Sequence, residues 1–159
     1  MAADYFLQIT GIAGESHDAK HKNWIDVEAW SWGEANPEPV SAGSGAGAGK
    51  VQMQDFNFTT RVSKASPALF LACANGQHMK EAKLSAVKAG AMQQEFLIWT
   101  FSDVLVSGYQ TAGAGGDLVM DQVSLSFSKI KVEYRAQKAD GSLETPIVAG
   151  WDKKANKKV

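Results

Sequence analysis

Apolar and polar side chains alternate most clearly in the segment WIDVEAWSW, which runs from Trp24 to Trp32. A period of two is typical of a β-strand, because successive side chains of a strand point to opposite faces of its sheet. Glycines on both sides of the segment predict turns there. The residues predicted to share one face of this strand are Ile25, Val27, Ala29 and Ser31.

The same period recurs along most of the chain and predicts a mainly β fold. The apolar phase shifts by one residue near Gln54 or Asp55 and again near Ser128, which is typical of β-bulges. Because bulges let a long sheet curl, we expect a closed antiparallel β-barrel. The predicted strands are residues 5–10, 24–32, 51–62, 79–88, 95–107 and 121–137.

One short helix is predicted beside the barrel. Ser66 is suited to cap its first turn, and Pro67 suits the first helical position because it has no N–H to leave unpaired. Gly76 stands where a left-handed residue would end the helix. A helix this short is not stable alone, so we expect it to dock on the sheet.

Length and charge exclude several classes of protein. The 159 residues fit one domain, which we place at residues 1–151, followed by a basic tail at 152–159. A formal net charge of −1 gives no general reason to expect nucleic acid or an anionic membrane as partner. No apolar run approaches the ~20 residues that span a bilayer, so membrane insertion is not expected. The N-terminal residues lack the features of a secretory signal peptide, which predicts synthesis in the cytoplasm.

The sequence offers no spacing that selects a catalytic, metal or cofactor site. The glycine-rich loop at 33–50 ends in Lys50, but Val51 follows where a phosphate loop needs Ser or Thr. His17 and His21 lie in a segment without helical periodicity, so we interpret both as solvated loop residues. Cys73, the only cysteine, lies on the apolar face of the predicted helix and is expected to be a buried structural thiol.

The strand from Phe96 to Trp99 is apolar on both faces. An antiparallel strand with one solvated face should alternate cleanly, so both faces of this strand are expected to be covered. The cover is either a neighbouring subunit, which would place Phe96 and Ile98 in an interface, or another part of the same chain.

Particular residues carry more information than the composition does. The run from Ile25 to Gly33 includes Trp30-Ser31-Trp32, and a glycine-rich stretch ending at Lys50 follows it. In this order and spacing they resemble the signature of the Hcp (hemolysin-coregulated protein) family. Weaker matches extend the resemblance over nearly the whole chain; they include Gly14-Glu15-Ser16, Phe58-Thr59, Ser66-Pro67, Ala72-Cys73, Gly76, His78, Tyr134, Gln137, Gly141 and Trp151.

The resemblance implies a structural subunit rather than an enzyme. Proteins of this family are β-barrels with a side helix that assemble into hexameric rings, and the rings stack head to tail as the inner tube of a type VI secretion system. The implied partners are copies of the same chain, the sheath and spike proteins, and small effector proteins in the channel. The resemblance also implies that the protein leaves the cell without a signal peptide when the sheath contracts.

The resemblance and the strand pattern together suggest functional positions. Ser31 is a candidate for contact with effectors in the channel, and a place in the barrel core beside Ala29 is the alternative. The strongest competing function is a monomeric β-barrel that binds a small ligand in its interior. The residues predicted for subunit or ring-stacking interfaces are Trp30, Trp32, Gly45, Gly47, Gly49, Phe96 and Ile98.

Overall fold

The computed structural model describes residues 2–37, 50–89 and 93–159 of the chain. The described part is mainly β with one helix, which confirms that prediction from the sequence. The elements in chain order are β1 (Ala3–Ile9), β2 (Ile25–Val27), β3 (Ala29–Ser31), β4 (Glu34–Ala35), β5 (Gln52–Met53), β6 (Phe56–Arg61), α1 (Ala65–Asn75), β7 (His78–Lys88), β8 (Gln94–Ala112), β9 (Met120–Ser126), β10 (Lys129–Tyr134), β11 (Ile147–Asp152) and β12 (Lys157–Lys158).

The long strand β8 organises a branched antiparallel sheet of ten strands. One path of hydrogen-bonded neighbours runs β12-β11-β10-β8-β7-β1-β2, and a second leaves β8 through β9 and β6 to β3. The 19 residues of β8 serve both paths, since its first half pairs with β7 and β10 and its second half with β9. Strands β4 and β5 form a separate two-stranded sheet.

The predicted closed barrel is wrong, because the ladder of paired strands is open between β2 and β6. Two single hydrogen bonds link the branches at this corner instead. The Glu28 N–H donates to the Thr59 carbonyl (2.9 Å), and the Thr60 hydroxyl donates to the Asp26 carbonyl (2.6 Å). Glu28 interrupts the strand and turns the chain from one branch into the other, so regular pairing does not continue across it.

The same interruption reverses which side chains are buried. Ile25 and Val27 of β2 are in the core, whereas Ala29 and Ser31 of β3 are exposed. The prediction that these four residues share one face is therefore wrong. The extra residue, Glu28, shifts the period of two by one position, and such a shift moves every later side chain to the opposite face.

Aromatic and aliphatic side chains from both branches form one core. The Phe101 ring lies at its centre, with ring centroids 4.8 Å from Phe56 and 5.0 Å from Phe127. Truncation of a fully buried phenylalanine to alanine costs about 3–5 kcal/mol, so this cluster is a major stabilising feature. Other fully buried members are Leu7, Ile9, Ile25, Phe58, Leu69, Leu84, Val104 and Leu125.

A buried carboxylate fixes the start of α1. Asp121 of β9 is fully buried, and its two oxygens accept hydrogen bonds from the Ser66 hydroxyl (2.6 Å) and the Tyr109 hydroxyl (3.1 Å). Lys64 rather than Ser66 occupies the N-cap position, so the predicted cap is wrong: Ser66 lies inside the first turn and ties it to the sheet. The predicted helix end is confirmed, because Gly76 has φ of 66° in the left-handed region.

Helix α1 docks by one face only. Leu69 and Ala72 are buried against the sheet, Cys73 is half-buried beside the core, and Phe70 and Leu71 are exposed. The docking predicted for a helix of this length is therefore found. In the described ranges no helix has the length and apolar character needed to cross a membrane.

The C-terminal residues are attached to the sheet. The two residues of β12 pair with β11, and Trp151 stands opposite Lys158 in that register. Lys154 reaches back to Asp103, with its Nζ atom 3.3 Å from the Oδ2 atom. These contacts hold the basic end of the chain beside β8, β10 and β11.

Candidate functional site

Four strands present a continuous exposed surface that we call the polar wall. It consists of the central outward residues of β3, β6, β9 and the second half of β8, and it encloses a shallow depression of about 580 Å³. The described residues that line this depression carry no formal charge. The outward members of the polar wall are Ala29, Ser31, Asn57, Thr59, Gly108, Gln110, Gln122 and Ser124.

Strand register arranges the polar wall in two rows that cross all four strands. In the first row Ser31 stands opposite Asn57, Asn57 opposite Ser124, and Ser124 opposite Gly108. The Ser124 hydroxyl donates to the Asn57 side-chain oxygen at 2.6 Å, which fixes part of this row. The second row runs in the same way through Ala29, Thr59, Gln122 and Gln110.

The alternation of β6 and β9 explains why these side chains face outward. Phe56, Phe58 and Thr60 are buried on one side of β6, which leaves Asn57 and Thr59 on the other. In β9, Asp121, Val123 and Leu125 are buried, and Gln122 and Ser124 point away from the core. The wall is therefore the solvated face of strands whose opposite face is the hydrophobic core.

Both lateral edges of the polar wall lack a paired strand among the described residues. At one edge β3 pairs with β6 only, since β2 and its partner β1 lie beyond the corner at Glu28. At the other edge the part of β8 beyond Leu105 pairs with β9 only, because β7 begins at His78, which stands opposite Leu105. Unpaired strand edges expose N–H and C=O groups that can bind another strand.

Ser31 lies in the polar wall with its side chain exposed. The alternative position in the core is therefore not the one that the structure gives it. Sequence reasoning missed the other members of its row, Asn57 and Ser124, and it missed Gln122 and Gln110 in the second row. The alternation within residues 51–62 and 121–137 indicates that Asn57, Gln122 and Ser124 face outward. That they share one surface depends on strand pairing, which the alternation does not show.

The tryptophans that flank Ser31 point away from the wall. Trp30 is half-buried, with its ring 6.1 Å from Phe56 between centroids, and Trp32 packs at 5.4 Å from Trp99. Both contribute to the edge of the core within a single chain. Their predicted place in a subunit interface stays a prediction.

The doubly apolar strand is half-buried on both faces. Phe96 and Ile98 lie in the first half of β8, and the Lys88 ammonium lies 5.7 Å from the centre of the Phe96 ring. Ile98 stands between Ser85 of β7 and Glu133 of β10. The chain itself thus covers part of this strand, and a covering neighbour stays a prediction. Gly45, Gly47 and Gly49 lie outside the described residues.

His21 is not solvated, so that prediction is wrong. Its side chain is 1% exposed, stacks on Phe6 at 4.6 Å between centroids, and lies with Nδ1 2.7 Å from an oxygen of Asp18. Its Nε2 atom lies 3.5 Å from an oxygen of Glu95. This arrangement attaches the loop before β2 to β1 and β8, while His17 is exposed as predicted. The described residues contain no group of His, Cys, Asp and Glu side chains that could hold a metal ion.

Charged side chains stand at the two ends of the polar wall rather than among its two rows: Arg61, outward on β6 beyond Thr59, pairs with Glu28 at 3.0 Å, and Asp55 accepts from the Ser107 hydroxyl at 2.6 Å. Burial, together with the hydrogen bond to Asp121, raises the pKa of Tyr109 above its ordinary value. Tyr109 points to the side of β8 opposite Gly108 and Gln110, toward α1. The two rows of hydroxyl and amide groups between the charged ends can form hydrogen bonds with a partner, and they contain no nucleophile–base pair for catalysis.

Comparison with known proteins places the chain among type VI secretion proteins. A family profile described as "Type VI secretion system effector, Hcp" matches residues 6–134. Protein hcp1 of Pseudomonas aeruginosa is 50% identical, and the alignment covers 98% of each chain. A solved structure of a type six secretion system protein superposes with a TM-score of 0.93 at 30% identity, covering 99% of this chain and 100% of that one. Hcp1 from Salmonella typhimurium is 40% identical, with a TM-score of 0.82 and full coverage of both chains. The chain therefore belongs to the Hcp family of type VI secretion proteins.

Proposed function

We propose that this protein is the ring-forming subunit of the inner tube of a type VI secretion system. Copies join side by side through the two unpaired edges of the polar wall, β3 of one copy against β8 of the next. The wall then becomes the continuous inner surface of a ring. The open edges are the observation that carries this proposal, since a complete monomeric barrel would leave none.

Strand directions are compatible with this joint. The wall contains four strands whose neighbours are all antiparallel, so β3 and β8 run in opposite directions. Rotation about an axis parallel to the strands keeps those directions, and β8 of one copy therefore meets β3 of the next as an antiparallel pair. The contact is heterologous, and a heterologous contact that closes by rotation produces a ring.

The size of such a ring follows from strand spacing. Neighbouring strands lie about 4.8 Å apart, so six copies with four strands each give a circumference of about 115 Å and a diameter of about 37 Å. A strand tilt of about 40° widens the ring to roughly 48 Å between backbones. A folded domain of about 100 residues has a radius of gyration of about 13 Å, so a small effector protein fits inside.

Exposed apolar side chains near the second edge support a contact with a neighbouring copy. Leu118 and Val119 lie between β8 and β9 and are 59% and 48% exposed. Val62 lies against them, since its N–H donates to the Val119 carbonyl, and Phe70 of α1 is in ring contact with Tyr109 of β8. Exposed apolar groups that cluster beside an open strand edge are typical of association surfaces.

The remaining parts of the proposal follow the family. Rings stack head to tail within a sheath and beneath a spike, and the tube leaves the cell carrying small effector proteins along the polar wall. Ser31 contacts such cargo, whereas Trp30, Trp32, Phe96, Ile98 and the glycines at 45, 47 and 49 serve contacts between subunits or rings. Residues 1–151 act as one domain and residues 152–159 as its basic extension. In this role the chain is a structural protein and needs no catalytic residue.

Native mass spectrometry of the purified full-length chain, with negative-stain images of the same chromatographic peak, tests the ring. We expect a hexamer and annular particles at micromolar concentration. A monomer at that concentration would overturn the edge-to-edge joint and favour a ligand-binding barrel. A hexamer without a central opening would retain association but reject the polar wall as a channel lining.

A further inference from the structure

A second cavity has no lining residue in common with the depression of the polar wall. It opens between the inner face of β10 and β11 and the small sheet of β4 and β5, and its volume is about 450 Å³. We call it the tryptophan seam, because three of the five tryptophans of the chain line it: Trp32, Trp99 and Trp151. Cavities of about 300–1,000 Å³ are typical of small-molecule sites.

The three tryptophans present ring carbon to the seam rather than hydrogen-bond donors. Each of its three tryptophans is only half-buried, yet each indole Nε1 atom is buried and has no acceptor. The exposed part of these side chains is therefore ring carbon. Trp32 and Trp99 lie 5.4 Å apart between centroids with ring planes tilted by 46°, and they form one wall, while Trp151 comes from β11. The π faces of indole rings carry partial negative charge.

The charged residue in the lining of the seam is negative, like the faces of the indole rings. Glu34 is exposed on β4 and belongs to the lining, and its carboxylate forms no ion pair with a described residue. Neither lysine nor arginine occurs among the described residues of the lining. Lys158 stands opposite Trp151 in the β11–β12 register, but it lies outside that lining. Aromatic faces with a carboxylate at the rim attract cations.

We propose that the tryptophan seam binds a small organic cation of the quaternary ammonium class. Such a cation has little water to lose, and it gains from several aromatic faces without needing a hydrogen-bond acceptor. A metal cation or a primary ammonium needs several oxygen partners, and in the described lining only Glu34 and Asn36 carry a side-chain oxygen. This binding is separate from the proposed channel lining, because the seam and the depression of the polar wall share no lining residue; Trp32 is the seam residue that the proposed subunit or ring contacts would share.

Fluorine NMR of the 5-fluorotryptophan-labelled full-length protein tests the proposal with choline as the probe. We expect the resonances of Trp32, Trp99 and Trp151 to shift with choline in a saturable way. The resonances of Trp24 and Trp30, which lie outside the seam, should not move. The uncharged analogue 3,3-dimethyl-1-butanol has the same shape, and we expect it to bind at least about tenfold more weakly.

Two variants make the test independent of folding problems. Glu34→Gln removes the rim charge from an exposed position and should raise the Kd for choline about threefold. Glu144→Gln changes an exposed carboxylate outside the lining and should leave the Kd unchanged. Equal affinity for choline and the neutral alcohol, or no saturable shift with choline, would overturn the proposal. Shifts of all five resonances together would also overturn it, since they would indicate non-specific binding.

Discussion

Replacement of Asp121 by alanine should destabilise the protein by removing the carboxylate that joins β8, β9 and α1. Asp121 is fully buried and accepts from the hydroxyls of Ser66 and Tyr109 at 2.6 and 3.1 Å. Ser66 is 7% exposed, so its hydroxyl has little access to water once the acceptor is gone. An unsatisfied buried hydroxyl costs about 1–3 kcal/mol, and the penalty is smaller for Tyr109 because it is only half-buried, so the two together predict a loss of about 2–5 kcal/mol in the free energy of unfolding.

Chemical denaturation followed by circular dichroism measures this loss, and all variants should be compared at one protein concentration because assembly is linked to folding. The corresponding fall in Tm is about 5–15 °C for a domain of this size. Asp117→Ala is the matched control, because Asp117 is exposed in the turn between β8 and β9, and its carboxylate forms no hydrogen bond with a described residue. It should unfold within about 0.5 kcal/mol of the parent protein.

A second measurement separates the network from general loosening of the fold. Burial and then the hydrogen bond to Asp121 raise the pKa of Tyr109 above 10.0. In Asp121→Ala the pKa of Tyr109, followed by ultraviolet titration, should fall toward that value. Tyr109→Phe should cost only about 1 kcal/mol, since Asp121 keeps its bond to Ser66. If Asp121→Ala unfolds like Asp117→Ala, the reasoning is refuted.

Three further predictions concern other parts of the chain. Hydrogen bonds from Ser128 and then His78 lower the pKa of Asp103 from 3.8 to about 2. The stabilisation that ionised Asp103 provides is therefore present above pH ~4 and is lost as the pH falls through ~2. In an acid titration, the stability of Asp103→Asn should decline less over that interval than the stability of the parent protein does. Gly14→Ala should be strongly destabilised in thermal melts, because the added methyl group meets a backbone carbonyl at a distance that real side chains do not adopt; a melt equal to that of the parent would contradict this close approach. Ser31→Gln should keep the native mass of the ring but reduce co-purification of effectors, since a longer side chain then projects from the polar wall; retention of cargo at the parent level would remove Ser31 from the contact surface.

Local features of the fold could be predicted because local chemistry determines them. Gly76 ends α1 through a left-handed conformation that needs only the glycine itself. The apolar phase change near Ser128 also marks a real interruption, although the structure divides the predicted single bulged strand at 121–137 into β9 and β10 at residues 127–128. Each of these features is determined by a few neighbouring residues, so a single sequence contains the information needed to predict it.

Features that depend on distant partners could not be predicted. Trp30 and Trp32 carry a signal for the phase change at Glu28, but the sequence does not tell whether large apolar side chains face the core of the same chain or a neighbouring subunit. His21 was assigned to a solvated loop, since its burial depends on Phe6 and Glu95, which lie far from it in the chain. Ser66 was interpreted as a cap because the carboxylate that it binds is 55 residues away. In each case tertiary contact overrides a sound local rule.

The composition of the polar wall is best understood through symmetry. In the proposed ring every wall residue is repeated by each copy, and in a stacked tube by each ring, so one ionised side chain per copy would line the whole channel with like charges. A narrow channel of one sign raises the local concentration of oppositely charged proteins and repels others. Cargo of one charge would then bind too tightly to leave, and cargo of the other charge would be excluded. Asn57, Gln110, Gln122 and Ser124 avoid both outcomes, because amides and hydroxyls form hydrogen bonds with either kind of surface without a net field. Two uncharged hydrogen-bonding rows, bordered at their ends by Arg61 and Asp55 of opposite sign, therefore suit the proposed tube, which must hold its contents during assembly and release them on delivery.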